Sequence, residues 1–140
     1  MSRALNDLQP VFRVIVFELL ARTIEAGIPV IIVGTGRTQA EQDDAVRRGV
    51  SWRTHSLHQD GLAIDICPFL AWSEFGDDKL QWNGEDPQWL VLGKLGEALN
   101  MRWGGRWTTK RDADGRILSR PDFSHFEYRD PNEQPPSRAA

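Results

Sequence analysis

Three histidines are the residues of this chain whose positions point most directly to chemistry. They are His55, His58 and His125, among 140 residues. Asp65 follows His58 by seven positions, and Asp122 precedes His125 by three positions. Two imidazoles, one carboxylate ligand and one further carboxylate are the inventory of a catalytic zinc site, which has three protein ligands, an open position for water and a base beside it.

His58 and Asp65 cannot share one metal ion on a single helix, because two helical turns would separate them by about 10 Å. A loop that leads into a strand can bring them together, and Gly61 permits the turn that this requires. Asp65 also lies in the apolar run 62–66, where an unpaired buried carboxylate would cost free energy. The sequence therefore predicts that Asp65 binds a metal. The alternative is that Asp65 pairs with an arginine or caps a turn.

His125 is the predicted third ligand, and Asp122 is the predicted general base, which takes a proton from water and later gives it to the leaving amine. The alternative for Asp122 is a turn residue that follows Pro121. Glu127 shares a face with His125 if this segment is a strand, so it is a second candidate base or a partner that orients the ligand. His55 is interpreted as a loop residue rather than a fourth ligand, and the fourth coordination position is left to water.

A hydrolase of this kind also needs a positive group for the oxyanion that develops during attack. Arg37 follows the tripeptide 34–36 at the end of a predicted buried strand, from which a side chain can project into a cleft. The alternative is a surface arginine at the start of a helix, where the positive end of the helix dipole disfavours it. We predict that Arg37 stabilises this oxyanion.

Composition limits the ligands and partners. Cys67 is the only cysteine, so neither an intramolecular disulfide nor a cysteine-rich zinc cluster is possible. A net charge of −3 argues against general binding of nucleic acid or anionic membranes. The first apolar stretch, 11–20, contains Arg13 and Glu18 and is too short and too charged to span a bilayer. No signal peptide is evident, so synthesis in the cytoplasm is expected. We also expect a monomer that neither inserts into membranes nor binds nucleic acid.

The surrounding pattern predicts the elements that would position these residues. Helices are expected at 5–26, 39–48 and 89–99, the second one opened by a capping box of Thr38 and Glu41. Strands are expected at 28–33, 62–67, 101–103 and 123–128, with a hairpin turn at 112–115. Because helices and short strands follow no βαβ rhythm, the predicted class is α+β. One domain over 1–130 and a disordered tail over 131–140 are expected.

The combined motifs resemble the M15 family of zinc peptidases, which includes D-alanyl-D-alanine carboxypeptidases and dipeptidases and the phage endolysins that are L-alanyl-D-glutamate peptidases. The resemblance rests on Ser56-x-His58-x-x-Gly61-x-Ala63-x-Asp65 and on Asp122-x-x-His125. The upstream block 34–42 and the Trp-Gly-Gly-Arg-Trp stretch at 103–107 also match the family, so the resemblance spans roughly residues 10–128.

This resemblance implies a small α+β domain with a central antiparallel sheet flanked by helices. It implies that Zn²⁺ is bound by His58, Asp65 and His125, that Asp122 is the catalytic acid and base, and that Arg37 polarises the scissile carbonyl. Ser56 corresponds to a serine near the substrate. Two departures stand out: the dipeptidase branch has a glutamate in place of Asp122, and many members have an aromatic residue in place of Gly36.

The implied substrate is a peptidoglycan stem peptide, cut between L-Ala and D-Glu by a phage lysin that reaches the cell wall after release from the cytoplasm. The alternatives are a D,D-carboxypeptidase or dipeptidase of the same family, and a non-catalytic wall-binding module pinned by zinc. Affinity for the wall is expected from a groove that contains Trp72, Trp82 or Trp107, for which core packing is the alternative.

Overall fold

The structure, a computed structural model, describes residues 1–70 and 79–133. These ranges contain three α-helices, which are α1 (Pro10–Glu25), α2 (Gln39–Arg47) and α3 (Pro87–Ala98). Single turns of 3-10 helix span Leu5–Asp7 and Gly104–Arg106. The strands of the same ranges are β1 (Val30–Gly34), β2 (Ala63–Pro68), β3 (Arg102–Trp103), β4 (Lys110–Arg111), β5 (Ile117–Ser119) and β6 (His125–Glu127).

Four of these strands form the central sheet in the order β1-β2-β6-β3, and each neighbouring pair is antiparallel. Strands β4 and β5 form a separate hairpin. Its turn lies at 112–115 as the sequence predicts, with Gly115 at a φ of 82°. The predicted α+β class, with a central antiparallel sheet flanked by helices, is confirmed.

Helix α1 confirms the first predicted helix, although it begins at Pro10 rather than at residue 5. Only part of the apolar stretch 11–20 is buried, since Val11 and Val14 are 52% and 69% exposed. Apolar residues occur on several sides of this helix, so periodicity alone does not select the face that packs on the core. The residues that are buried are Phe12, Val16, Leu19 and Thr23.

Side-chain hydrogen bonds cap the N-termini of α2 and α3. The hydroxyl of Thr38 accepts a hydrogen bond from the backbone N–H of Glu41, and the Glu41 carboxylate accepts one from the backbone N–H of Thr38. The predicted capping box is therefore confirmed. At α3 the Asp86 carboxylate accepts a hydrogen bond from the backbone N–H of Gln88. The first cap leaves Arg37 between the end of β1 and the start of α2.

The two faces of the central sheet have different roles. Successive residues of a strand point to opposite faces. Ile64, Ile66 and Phe126 are fully buried in the hydrophobic core that α1 and α3 share with the sheet. Asp65 and His125 alternate with these core residues along β2 and β6, so they face the other side. The alternation that buries the apolar side chains on one face of the sheet thus places Asp65 and His125 together on the opposite face.

Two predictions fall mostly outside the described residues. The predicted tail at 131–140 lies there from residue 134 onward, and Trp72 lies within the segment 71–78. At 131–133 the chain forms a turn in which the backbone N–H of Glu133 donates to the carbonyl of Asp130. None of the described helices has the length and apolarity needed to cross a membrane.

Candidate metal centre and active site

The register of the sheet brings two of the predicted ligands together. Asp65 on β2 is the direct cross-strand partner of His125 on β6. Nδ1 of His125 lies 3.3 Å from Oδ1 of Asp65, and Nε2 of His58 lies 3.2 Å from the same oxygen. One ligand atom from each of the three residues lies within 4.8 Å of the others. The three residues proposed from sequence spacing therefore form one cluster.

The loop before β2 holds His58 in place. The backbone N–H of His58 donates to Oγ of Ser56 over 3.2 Å. Gly61 turns the chain at a φ of 69°, and a Cβ on it would lie 2.7 Å from the carbonyl oxygen of Asp7. Nδ1 of His58 lies 2.8 Å from the carbonyl oxygen of Thr35, which can only accept, so Nδ1 carries the proton. Nε2, which lies 3.2 Å from Oδ1 of Asp65, is then the ring nitrogen that a metal ion could take.

A buried carboxylate orients His125 from the side opposite Asp65. Nε2 of His125 donates to Oε1 of Glu127 over 2.8 Å, and Nε of Arg102 donates to Oε2 of Glu127 over 2.8 Å. Arg102 on β3 is the cross-strand partner of Glu127, so the sheet register sets this contact too. Glu127 was considered as a second candidate base or as a residue that orients His125, and these contacts agree with the second role.

A glycine allows the turn after β3 to approach His125. A Cβ on Gly104 would lie 2.4 Å from the carbonyl oxygen of Asp122 and 3.1 Å from Cβ of His125. The Gly104 carbonyl accepts a hydrogen bond from the backbone N–H of Asp122 over 2.9 Å. The Trp-Gly-Gly-Arg-Trp stretch thus contains the glycine on which the close packing of the second motif depends.

The donor set fits a divalent metal ion. Ligand atoms that lie about 2.1 Å from an ion at tetrahedral angles are about 3.4 Å apart, close to the separations of 3.2 and 3.3 Å found here. His58 and His125 are only 3% and 6% exposed. The second nitrogen of each ring is held by an acceptor, Thr35 or Glu127. Two imidazoles, each oriented by an acceptor on its second nitrogen, and a carboxylate are typical zinc ligands.

The electrostatics of the cluster also favour a cation. Burial raises the pKa of Asp65, but hydrogen bonds from His125 and His58 outweigh it and hold the pKa well below its usual value. Burial lowers the pKa of His125, but its bonds to Asp65 and Glu127 outweigh this effect and raise the pKa to about 9. A positive charge is therefore stabilised between the two carboxylates, where a metal ion would replace the proton.

Asp122 lies in the same cleft as the cluster. Together with His58, Asp65 and His125 it lines one cavity. Its Oδ1 accepts a hydrogen bond from the hydroxyl of Ser124 over 3.1 Å. Burial and the negative charge of Asp65 raise the pKa of Asp122. A carboxyl group whose proton affinity is raised in this way is suited to exchange protons with a reactant.

Arg37 and Ser56 also line this cleft. The backbone N–H of Arg37 donates to the carbonyl of His58 over 3.2 Å, which joins the two segments. Nη1 of Arg37 donates to Oε1 of Gln42 over 2.7 Å. His55 lies apart from the cleft, with Nε2 at 3.0 Å from both carboxylate oxygens of Asp60, which agrees with its interpretation as a loop residue.

Gln42 is a positioning residue to which the sequence reasoning assigned no role. It is fully buried in α2, and its Nε2 donates to Oγ of Ser51 over 2.9 Å and to the carbonyl of Arg53 over 2.5 Å. Through Oε1 it also holds Arg37. One sequence feature could have indicated this role: Gln42 is a polar residue on the same face of α2 as Ala45, and this face is the buried one.

Replacing Gln42 with leucine is expected to lower the free energy of unfolding by about 1–3 kcal/mol, because buried donors and acceptors at Arg37, Ser51 and Arg53 lose their partner. Urea unfolding followed by circular dichroism measures the change. The matched control is Gln88→Leu on α3, whose side chain forms no hydrogen bond among the described residues, and a change within about 0.5 kcal/mol is expected. Equal effects of the two substitutions would contradict a special role for Gln42.

Among the described tryptophans, some line the cleft, others are buried in the core, and Trp82 is largely exposed. Trp107 lies beside His125 with ring centroids 5.1 Å apart, and Trp52 meets Trp107 edge to face at 6.0 Å. Both line the cleft, although only Trp107 was expected in the groove. Trp82 is 50% exposed and stacks on the buried Trp89 at 6.3 Å.

Comparisons with known proteins agree with this geometry. A family model described as D-alanyl-D-alanine carboxypeptidase, of the M15 peptidases, matches residues 49–114. That range contains His58 and Asp65 and ends before Asp122 and His125. The peptidoglycan L-alanyl-D-glutamate endopeptidase CwlK of Bacillus subtilis (strain 168) is 26% identical over 123 residues, covering 76% of this chain and 71% of CwlK.

Solved structures share the fold at low sequence identity. The L-Ala D-Glu endopeptidase ChiX of Serratia marcescens superposes with a TM-score of 0.61 at 20% identity, covering 88% of this chain and 81% of ChiX. The LD-carboxypeptidase LdcB superposes with a TM-score of 0.50 at 18% identity, covering 86% of this chain and 65% of LdcB. The family model, the CwlK relative and the shared fold agree in their similarity to the M15 peptidases.

Proposed function

We propose that this protein is a zinc-dependent peptidase that hydrolyses peptidoglycan stem peptides between L-Ala and D-Glu. The observation that carries the proposal is the convergence of His58, Asp65 and His125 beside Asp122 in one cleft. The similarity to CwlK and ChiX, both described as L-Ala–D-Glu endopeptidases, supports the scissile bond.

Three side chains of the cluster would hold the metal. The ligand atoms are Nε2 of His58, Oδ1 of Asp65 and Nδ1 of His125, while Thr35 and Glu127 fix the two rings from behind. When bound, zinc supplies Lewis acidity that polarises a carbonyl group and acidifies water. The rigid sheet register means that the ligands are preorganised, so little ordering is needed on binding.

Asp122 would carry the proton in both halves of the reaction. Its carboxylate accepts a proton from the attacking water and then delivers it to the nitrogen of the leaving amine. The bond from Ser124 keeps Oδ1 oriented, so the other oxygen is left for the reactants.

Arg37 would stabilise the negative charge that develops on the carbonyl oxygen of the substrate. It has a hydrogen bond to Gln42 but no carboxylate partner among the described residues, so its positive charge stays available to the cleft. Ser56 would contact the substrate from the cleft wall and, through its Oγ, also hold the backbone of His58.

Digestion of purified peptidoglycan tests the proposal, with mass spectrometry of the fragments in the presence and absence of a chelator. Cleavage between L-Ala and D-Glu that stops on chelation is expected. Release of free D-alanine would instead support the D,D-carboxypeptidase alternative. Binding to the wall without any new fragment would support the non-catalytic module and overturn the enzyme assignment.

Replacing Glu127 with glutamine is expected to weaken zinc binding by about 10- to 100-fold, because the charged acceptor that orients His125 is lost. Competition with a chromogenic chelator measures the affinity. The control is Glu133→Gln, which removes an exposed carboxylate that pairs with the same Arg102 over 2.6 Å and should leave zinc affinity nearly unchanged. Unchanged affinity in Glu127→Gln would show that this carboxylate does not orient the ligand.

Three finer predictions accompany this proposal. A phage-lysin role requires the protein to pass from the cytoplasm to the cell wall. It is tested by expressing the protein inside bacteria, permeabilising the inner membrane and measuring whether the cells lyse. A monomer is tested by sedimentation of the purified chain. A peptidase domain over 1–130 with a disordered tail is tested by limited proteolysis, which should remove the last residues and leave activity intact.

A further inference from the structure

A second chamber adjoins the cleft on the far side of Asp122. Val50, Trp52 and Asp122 line both cavities, so the two adjoin at these side chains. The chamber has a volume of about 370 Å³, which lies in the range of ligand pockets. Its remaining wall is formed by Trp82, Trp89, Arg120, Pro121, Phe123 and Ser124.

Arg120 is the cation of this chamber. Its guanidinium carbon lies 5.9 Å from the ring centroid of Trp52, which is a cation–π contact. Among the described residues no carboxylate pairs with Arg120. By contrast, Arg102 pairs with Glu127 over 2.8 Å and Arg106 pairs with Glu97 over 3.0 Å. An arginine that has no carboxylate partner within 1–70 and 79–133, on the wall of a cavity, is suited to bind an anionic ligand group.

A second unsatisfied donor lies on the same wall. Nε1 of Trp89 is buried and has no acceptor among the described residues, although a buried indole N–H usually has one. Trp89 is only 2% exposed and lines the chamber. This N–H lies within the wall rather than on its accessible surface, so the chamber presents aromatic rings together with the guanidinium of Arg120, which favours a ligand bearing an anionic oxygen group.

The position of Asp122 sets which part of a peptide would enter. A residue that gives its proton to the leaving amine must lie against that nitrogen. Asp122 stands between the metal cluster and the chamber, so the chain that leaves with the amine extends into the chamber. Arg37 lies on the wall of the first cavity and does not line the second. The two arginines thus serve different parts of the peptide.

We propose that the chamber is the subsite for the residue on the C-terminal side of the scissile bond, and that Arg120 binds a free carboxylate of that residue. This inference rests on the proposed function, because it uses Asp122 as the proton carrier. It makes Arg120 a specificity-determining residue. A D-glutamate joined through its γ-carboxyl carries such a carboxylate at its α-carbon, and amidation of that group removes the charge.

Equilibrium binding of a product peptide tests the subsite without turnover. The probes are γ-D-glutamyl-L-lysine and its α-amide, titrated calorimetrically into the zinc-loaded full chain. Wild type is expected to bind the free acid about tenfold more tightly than the amide. Arg120→Gln should abolish this preference, and Arg120→Lys should keep part of it. The matched control is Arg116→Gln at an exposed position before β5, which should keep the full preference.

Three outcomes would overturn the subsite: equal affinity of wild type for the two probes, a preference that persists in Arg120→Gln, and a preference that is lost equally in Arg116→Gln. Thermal unfolding of each variant checks that the fold is retained, and the behaviour of Arg120→Lys separates loss of charge from loss of packing. If wild type shows the preference but cleaves no peptidoglycan, carboxylate binding by Arg120 stands, whereas the proposed peptidase function and the place of the chamber in it fail. If wild type cleaves peptidoglycan but binds the two probes equally, the peptidase function stands and the role of Arg120 fails.

Discussion

Asp122→Asn is expected to lower kcat on peptidoglycan by about 10²- to 10⁴-fold while leaving zinc affinity unchanged. The asparagine amide has nearly the same shape and can still accept the hydrogen bond that Ser124 donates to Oδ1. It cannot take up a proton from water near neutral pH. The substitution therefore removes the chemistry of the side chain and keeps its packing against the turn at Gly104.

Two measurements separate this effect from damage to the metal centre. Release of soluble muropeptides gives the rate, and metal analysis after gel filtration gives the zinc content. The matched control is Asp60→Asn, which removes a carboxylate that pairs with His55 outside the cleft and should retain normal activity. Normal activity in Asp122→Asn would show that Asp122 is not the base. Loss of both activity and zinc would show that it acts on the metal instead.

Substitution of His125 with alanine is expected to abolish both zinc binding and cleavage, and to destabilise the protein. One of the three ligands is lost, and the carboxylates of Asp65 and Glu127 lose the imidazole that bridges them at 3.3 and 2.8 Å. Removing one partner of a buried charge pair costs about 3–5 kcal/mol. The expected result is a zinc content near zero, with activity at the level of the blank.

The control for this prediction is wild type that has been stripped with a chelator. Its activity should also be lost, and it should return on addition of Zn²⁺, whereas His125→Ala should not recover at any zinc concentration that the wild type tolerates. His55→Ala serves as the matched histidine control, because His55 is exposed and contacts Asp60 away from the cleft. Equal zinc content in His125→Ala and wild type would contradict the proposed ligand set.

Much of the local structure could be predicted from the chain. The capping box of Thr38 and Glu41 needs only two side chains three residues apart. The turn at 112–115 needs only its own polar residues and Gly115. Such features depend on hydrogen bonds within a few residues, so sequence spacing specifies them directly. Asp65 inside an apolar strand indicated a site for a similar reason, since its burial had to be compensated.

The contacts that complete the site could not be found in this way. Spacing left two roles open for Glu127, and only the pairing of β3 with β6 brings Arg102 onto it. Gln42 reaches Arg37 because α2 packs against the loop 51–53. Arg120 comes to line the second chamber, in contact with Trp52, although the two residues are far apart in the sequence.

By itself, the sequence determined the residue types that could bind a metal and the local elements that carry them, because helix caps, turns and strand alternation are short-range effects. The tertiary structure alone decided which face of α1 is buried and which strands are neighbours. It also decided which side chains support His58, His125 and Arg37 from behind. The physical reason is that these contacts join residues distant along the chain, and their geometry is set only when the whole core packs.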